Sequence, residues 1–462
     1  MKSTRASSRS ERRTEGKARR AKCPRTAQAE WKPRPKSEDI IKLLEESDAG
    51  RIPGLIPVKY QRMAVSPFTF YRGAAIIQAR DLAKAPVTGI TVQACGDCHL
   101  ANFGGFASPE REQVFDINDF DETFPGPWEW DMKRLGASLV LAARDRSFSK
   151  ATAEEAARAA AASYRERMSE FAEMTRLETW YTQLTLDAIK EHFTKDKDFT
   201  ARLEKKRKKA LSQTSEAVFP KLTEVVDGLR RIKDAPPVIY HFQQNVEESK
   251  KAFQNHFARY VKSLPADRRK LLEHYRPQDT VIKVVGVGSV GTRCYVTLFL
   301  GEGGDPLFLQ TKEARRSVLE PPEGKSHFSR QGFRVVLGQR LMQASSDIFL
   351  GWFRSKHGHD YYVRQFRDMK ASAEVETFLP GTLVAYATVC GWALARAHAK
   401  AGDAAMIAGY LGSSDRFDNA LADYSKAYAD QAERDYAAFK AAIRSGRLST
   451  EPEKGTGLEF LS

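Results

Sequence analysis

The spacing of apolar and polar positions divides the chain into two helix-rich ends and a β-rich stretch late in the sequence. Residues 37–47 (SEDIIKLLEES) carry apolar positions at helical spacing, with Ser37 placed as the N-cap and Glu38 and Asp39 in a first turn where the helix dipole favours anions. After a turn at Pro53-Gly54, residues 68–83 read as a helix and 90–95 (ITVQAC) as a short buried strand. A polar, glycine-bearing loop from Gly96 to Gly105 leads into 114–121 (VFDINDFD), where Phe115 and Ile117 alternate with polar partners as on a strand. Residues 130–143 predict an apolar helix, and from 150 to about 229 the chain reads as helical, Ala-rich and then Lys-rich. The DAPP run at 234–237 ends that block, and the next strand signals begin at Val281. There IKVVGVGSVGTRCYVTLFL and LFLQTKEA flank a turn at 301–305, as paired strands would. A helix over 330–344, short strands at 348–353 and 361–366, and helices at 382–400 and 419–445 complete the pattern.

Composition narrows the class. With 462 residues, 42% hydrophobic and 29% charged, the chain can bury a large core, and global disorder is excluded. No run of about 18 apolar residues is present, so no membrane span is expected. The net charge of +15 is uneven: residues 1–36 hold 13 Lys and Arg against three Glu, a local +10, which leaves +5 for the rest. This segment has few large apolar residues, and Pro33 and Pro35 end it, so composition predicts a disordered basic tail capable of weak polyanion contact through counterion release. The Lys205–Lys209 run reads as a solvated helix face. Five cysteines are too few for a disulfide framework, and no apolar segment follows Arg12-Arg13, so the expectation is a cytoplasmic protein. Cys95-Gly-Asp-Cys98-His99 spells the C-x-x-C-H of haem attachment, but that chemistry belongs outside the cytoplasm, and no second ligand pair lies at zinc spacing.

The candidate chemistry is that of phosphates. Gly286-Val-Gly288-Ser-Val-Gly291 matches G-x-G-x-x-G, and because it runs into a second strand instead of a helix, it reads as a phosphate-covering hairpin and not a dinucleotide turn. Lys312, 26 residues past Gly286 on the following strand, can reach phosphates under that hairpin. Asp97, His99 and Asn102 share the loop after the first strand, and Asp119-Phe120-Asp121 follows. Phosphoryl transfer requires a carboxylate for the attacking hydroxyl, an Asn and an Asp for magnesium, and a cation on the phosphates. Each of these residue types is present, in an unexpected order.

Gly96-Asp97-Cys98-His99-Leu100-Ala101-Asn102 resembles the G-D-x-H-x-x-N catalytic loop of aminoglycoside phosphotransferases and related kinase-like enzymes. Asp119-Phe120-Asp121 resembles the D-F-D run of their metal-binding strand, and WDMKRL at 130–135 resembles the helix that follows it. The stretches SPFTFYRGAA, GDCHLANFGGF, FDINDFDETFPGPWEWDMKRL, GVGSVGTRCYV, LFLQTKEA and YYVRQFRDMK look like the bacterial DUF2252 family of uncharacterised proteins, placed in the protein-kinase-like superfamily; the likeness covers about residues 50–445. The resemblance implies ATP and magnesium as cofactors. It implies Asp97 as catalytic base, Asn102 and Asp119 as magnesium ligands, Gly286, Gly288 and Gly291 as the phosphate loop and Lys312 as the phosphate-binding lysine. His99 would orient the loop or face the substrate, and Asp131 would hold the catalytic loop's backbone. Asp121 competes with Asp119 for the metal, since a two-residue step on a strand returns to one face; Asp116 shares that face only if the strand is bulged. Arg72 and Arg364 can each face an acidic substrate or pair with a carboxylate.

The implied fold is α+β, two-lobed and protein-kinase-like, with circularly permuted motif order and an added helical block. Its expected parts are the tail (1–36), a catalytic and metal-binding segment of the large lobe (37–149), a helical insertion (150–275), a small β-rich nucleotide lobe (276–370) and C-terminal helices completing the large lobe (371–462). Permutation requires Lys312 and Asp119, 193 positions apart, to meet across one cleft. The predicted 330–344 helix holds no Glu to pair with Lys312, which leaves Glu313, Glu320 and Gln339 as candidates. The expected function is an ATP- and magnesium-dependent phosphotransferase for an unidentified hydroxyl acceptor. The alternatives are a catalytically silent nucleotide-binding module and nucleotidyl transfer on the same fold.

Overall fold

The computed structural model describes residues 7–35, 38–212, 214–241, 246–321, 326–366 and 369–451. Helices α1 (Arg9–Ala18), α2 (Ile40–Asp48), α3 (Ile56–Met63), α4 (Pro67–Gly73) and α5 (Ala75–Leu82) precede β1 (Thr91–Ala94). Strands β2 (Phe103–Ala107), β3 (Gln113–Ile117) and β4 (Phe124–Pro127) follow, and then α6 (Trp128–Asp145) and α7 (Lys150–Glu173). Next come α8 (Arg176–Tyr181), α9 (Leu186–His192), α10 (Lys197–Leu211), α11 (Ser215–Leu222), β5 (Thr223–Val226), β6 (Leu229–Ile232), β7 (Ile239–Tyr240), α12 (Val246–Lys262) and α13 (Ala266–Leu272). The β-rich stretch contains β8 (Tyr275–Lys283), β9 (Cys294–Gly301), β10 (Pro306–Ala314), α14 (Gln331–Met342), β11 (Gly351–Arg354) and β12 (Asp360–Gln365). The chain closes with β13 (Ala371–Ser372), α15 (Pro380–Ala401), α16 (Ala404–Leu411) and α17 (Arg416–Arg444).

The largest sheet has six strands in the order β11-β12-β10-β9-β8-β7, and every strand pair in the described residues is antiparallel, which makes the fold α+β. Both of its faces are covered, which explains the nearly unbroken apolar runs CYVTLFL and LFLQ. On one face Phe299, Leu307 and Leu309 pack with Tyr260 and Leu264 of α12 and its following turn; on the other, Val296, Leu298 and Phe308 pack with Val218 of α11 and Ile232 of β6. That second face continues past Gln310 to Lys312, whose cross-strand partners are Arg364 and Tyr362 respectively.

The other half of the molecule is a helical core in which α6, α7, α15 and α17 pack on one another. Small residues allow close approach: a Cβ on Gly391 of α15 would lie 2.2 Å from the Ala160 carbonyl oxygen of α7. Helices from both ends of the chain thus share one core with β1 and β3. The boundary expected at 149/150 runs through this core, because α7 belongs to it. The remainder of the expected insertion divides, with α11, β5, β6, α12 and α13 covering the six-stranded sheet. Strands also occur earlier than Val281, at β5, β6, β7 and the start of β8.

Three local expectations change. Asp39, not Ser37, caps α2, its side chain accepting from the Ile41 amide at 2.9 Å; Ser37 lies outside the described residues. The helix expected over 68–83 breaks at Ala74, whose backbone (φ −121°, ψ 38°) is not helical. The segment expected to be a disordered tail is folded from residue 8 to residue 35. Helix α1 crosses α16 so closely that a Cβ on Gly16 or Gly409 would strike the facing backbone. Arg20 and Arg25 donate to the carbonyls of Gly409, Tyr410 and Leu411 at 2.7–2.8 Å, capping the negative end of α16. Arg34 is buried between Asp81 and Asp435. Composition registers these cations as solvated; the fold uses them as caps and ion-pair partners. Among the described residues no helix is long and apolar enough to cross a membrane.

Candidate functional site

The loop after β1 carries Asp97, His99 and Asn102, and α6 and α15 hold it from below. Asp131, in the first turn of α6, accepts the amides of Cys95 (2.6 Å) and Gly96 (2.9 Å). His398 of α15 lies 3.1 Å from Asp131 and 2.8 Å from the Tyr164 hydroxyl, so a buried Tyr-His-Asp chain supports the loop. Gly96 is obligatory: its φ is +90°, and a Cβ there would lie 2.2 Å from the Glu122 carbonyl oxygen. One turn past Asp131, Arg134 donates to Asp97 at 2.8 Å and is itself fixed by the Tyr71 carbonyl, Gln78 and the Tyr71 ring 3.7 Å away. Asn102 donates its amide nitrogen to the Asp97 carbonyl at 2.7 Å, which leaves the amide oxygen as the end able to meet a cation.

Burial raises the Asp97 carboxyl above its ordinary range, against the lowering effect of Arg134. His99 is 4% exposed, and burial together with Arg72 and Arg134 holds its ring well below the usual histidine range. Its Nε2 lies 3.9 Å from Asp97. Cys95 and Cys98 are buried free thiols, and burial pushes Cys98 well above the usual thiol range. Their C-x-x-C-H spacing here serves the packing of a loop.

Asp119 and Asp121 follow β3 but are not on it. The Asn118 amide still bonds the Asn102 carbonyl (2.9 Å), the last bond of the β2–β3 ladder, and beyond it the Asp121 amide turns back to the Asp119 side chain (3.2 Å), so both acids lie in a side-chain turn past the strand. The strand-face argument for Asp121 is therefore replaced by a turn that brings both carboxylates to the same cation. Lys312 contacts Asp121 directly and lies 3.6 Å from Asp119. Burial opposes ionisation of Asp119, but Lys312 and Arg364 outweigh it and keep the carboxyl below its ordinary range. The ammonium of Lys312, 2% exposed, is held well above its ordinary range by both acids against the effect of burial. Tyr362 donates to Asp121 at 2.8 Å.

Asp116 is elsewhere. Its carboxylate is buried against Arg396 of α15 (2.7 and 2.8 Å) and accepts the amides of Ile117 and Ala344, both at 2.9 Å. With its acceptor positions filled, it has no capacity for a metal, and the sequence expectation for it is corrected. None of Glu313, Glu320 and Gln339 pairs with Lys312; they bond Arg293, Arg316 and Gln343. In their place α14 sends Arg334, fully buried, to the carbonyls of Asp121, Thr123 and Arg315 at 2.5–2.8 Å. The helix thus grips the acid loop by its backbone and leaves Lys312 to the acids.

Gly286, Gly288 and Gly291 lie in the connection between antiparallel β8 and β9, two of them at positive φ, and the connection leads into no helix. Ser289 within it donates to Asp121 at 3.2 Å, tying the glycine turn to the acids. Two cavities adjoin this cluster. One of about 280 Å³ is bordered by Asp97, His99, Asn102, Asp121 and Arg72, and one of about 620 Å³ by Lys312, Gln310, Arg364 and Phe366; Asp119, Gly286 and Ser289 line both. Among the described residues no three His, Cys, Asp or Glu side chains form a metal cluster by themselves. A magnesium ion needs only one or two carboxylates when phosphates and water complete its shell, so Asp119, Asp121 and Asn102 fit that ion and not an all-protein cage.

Sequence reasoning missed Arg134 as the Asp97 partner, Arg334, Ser289 and Tyr362. Arg134 had a signal, since it stands three residues after Asp131 and shares its helix face. The others had none, because their partners are remote in sequence.

The chain matches, over residues 51–442, the family described as an uncharacterized protein conserved in bacteria (DUF2252), and it belongs to that family. No curated protein and no solved structure matches it.

Proposed function

We propose that this protein is an ATP- and magnesium-dependent phosphotransferase acting on a hydroxyl of a small acceptor, on a kinase-like fold whose motif order is circularly permuted. One observation carries the reading: Lys312, from the sheet, lies 3.6 Å from Asp119, on the acid loop beside Asp97, although 193 positions separate them. A lysine, two carboxylates and a glycine turn linked through Ser289 form the set that a nucleotide's phosphates and their metal require.

In this reading the nucleoside occupies the larger cavity and the acceptor the smaller, with the phosphates passing beneath Gly286–Gly291. Asp119, Asp121 and the Asn102 amide oxygen would hold magnesium, which supplies charge neutralisation between phosphate oxygens. Lys312, no longer needed to neutralise the acids, would turn to the phosphates. Asp97 accepts the acceptor's hydroxyl proton as that oxygen attacks the γ-phosphorus and ADP leaves. Its raised pKa and its fixed bond to Arg134 suit a base that must hold one orientation.

The test is incubation of the full chain with magnesium and ATP labelled at the γ or the α position. Magnesium-dependent movement of γ label to water or an acceptor pool is expected. Movement of α label would identify nucleotidyl transfer, and nucleotide binding without movement of either label would identify a silent module.

A further inference from the structure

The smaller cavity holds an arginine with nothing to bind. Of the arginines that line it, Arg51 bonds the Val290 carbonyl, Arg80 pairs with Glu46, Arg315 donates to Ser47 and Ala49, and Arg316 pairs with Glu320. Arg72 has no hydrogen-bond or ion-pair partner among the described residues; its Nε is buried and unpaired, and its guanidinium lies 5.6 Å over the Phe68 ring. Nearby, the nine-tenths-buried His99 leaves Nδ1 unpaired as well. Buried polar atoms are nearly always paired, with protein, ordered water or a ligand, and these two differ from the other unpaired atoms described in the fold in bordering the same cavity.

The two groups flank the carboxylate that would receive the acceptor's proton. His99 lies 3.9 Å from Asp97, and Arg72 borders the same cavity as Asp97; burial disfavours the Arg72 charge, with Asp97 and Glu376 acting the other way. The Arg72 backbone lies under the glycine turn, where a Cβ on Gly288 would come within 3.1 Å of the Arg72 carbonyl oxygen. Most of the cavity's other charges are matched, Asp97 by Arg134, Glu313 by Arg293, and Asp119 and Asp121 by Lys312, while Glu122 accepts the Val318 amide and has Arg334 as its nearby cation. An incoming neutral or cationic acceptor would leave the Arg72 guanidinium desolvated and unpaired; an anionic one would satisfy it with two parallel bonds.

We propose that Arg72, with His99 beside it, is the anion-recognition half of the acceptor subsite, and that the acceptor is a hydroxyl compound bearing a phosphate or carboxylate close to the reacting hydroxyl. The acceptor assignment rests on the phosphotransferase reading; the anion site does not. Because Arg72 makes no bonds within the fold, its replacement removes no native hydrogen bond.

Two arms separate the claims. In the first, inorganic phosphate and acetate are titrated into the nucleotide-free full chain and into Arg72→Gln, Arg72→Lys and Arg80→Gln, the last at a cavity arginine already paired with Glu46. Arg72→Gln is expected to weaken anion binding about tenfold or more while Arg72→Lys keeps part of it, as loss of a charge-assisted bidentate pair dictates; Arg80→Gln should retain it. Failure of the unaltered chain to bind either anion at millimolar concentration would overturn the proposal, as would equal or greater loss in Arg80→Gln. Preference for phosphate or acetate decides which anion the acceptor bears.

In the second arm, γ label transfer is compared for glycerol, glycerol 3-phosphate and glycerate. Transfer favouring the charged members, with a KM for them that rises in Arg72→Gln more than the KM for ATP, supports the proposal. Equal transfer to glycerol overturns it and leaves the phosphotransferase reading standing. No movement of γ label to these acceptors, to water or to an acceptor pool, with anion binding at Arg72 intact, removes that reading and with it the acceptor assignment.

Discussion

Two carboxylate clusters arise from the single run FDINDFD and come to opposite ends. Asp116 is sealed against Arg396 with both side chains 1% exposed, and every acceptor position is used within the fold. Asp119 and Asp121, three and five residues on, keep 29% and 25% of their side-chain surface open and share one ammonium. Residue type and local sequence are nearly the same. What differs is saturation of the carboxylates: Asp116 has used its acceptor positions inside the fold, although Arg396 keeps Nε and Nη1 unpaired, whereas Asp119 and Asp121 still have lone pairs facing a cavity.

The largest effect expected from breaking this comparison is on folding. Asp116→Ala leaves the Arg396 guanidinium buried without its carboxylate and should cost about 3–5 kcal/mol. Asp119→Asn, at an open site where Lys312 keeps Asp121, should cost less than about 1 kcal/mol. Chemical denaturation of both variants checks this, and similar losses would mean the two clusters do not differ in kind.

Catalytic effects come next. Asp97→Asn should lower turnover by about 10²-fold or more through loss of base and orientation while Mg-ATP affinity barely changes. Asp119→Asn should weaken magnesium-dependent nucleotide binding as well as turnover. Paired calorimetry and single-turnover labelling decide, and equal loss of nucleotide binding in both variants would exchange the two assignments.

The pH profile should separate the same two groups. Asp97 is raised by burial, so its protonated form is favoured in the folded chain: its contribution to stability is full below its unfolded pKa and is lost as pH rises through the raised value. Asp119 is lowered by Lys312 and Arg364, so its contribution is present above its unfolded pKa and is lost only as pH falls through the depressed value. Acidification from neutrality should therefore remove turnover first, with an acid limb above the ordinary Asp value of about 3.9, while the charge of Asp119 persists. A pH–rate profile whose acid limb lies below that value would count against Asp97 as the base.

The smallest effect belongs to the tie across the glycine turn. Ser289→Ala removes one 3.2 Å bond to Asp121, worth about 0.5–1.5 kcal/mol. It should raise the KM for nucleotide severalfold and lower global stability by no more than that amount.

Much of this was legible in the sequence. The glycine turn, the hairpin carrying Lys312, the loop expected over 96–105, whose last residues form the start of β2, and the helices expected at 130–143 and 382–400, which run over 128–145 and 380–401, were readable because each is specified by neighbours a few residues away. The role of Asp131 beneath the loop followed from the motif it resembles. The basic segment was misread for a physical reason: Arg20, Arg25 and Arg34 look solvated until the carbonyl end of α16 and the pair Asp81 and Asp435 are brought to them.

By itself, then, the sequence determined which chemical groups stand together on each loop and strand, since periodicity, turn residues and contiguous motifs act over short range. Tertiary structure alone decided which charge meets which. It closed Asp116 onto Arg396, gave Lys312 two acids 191 and 193 positions away, turned α14 into a backbone clamp through Arg334, and left Arg72 without a partner beside Asp97. The reason is that an ion pair's worth depends on burial and on the full set of neighbours, and both are properties of packed surfaces that no stretch of sequence contains.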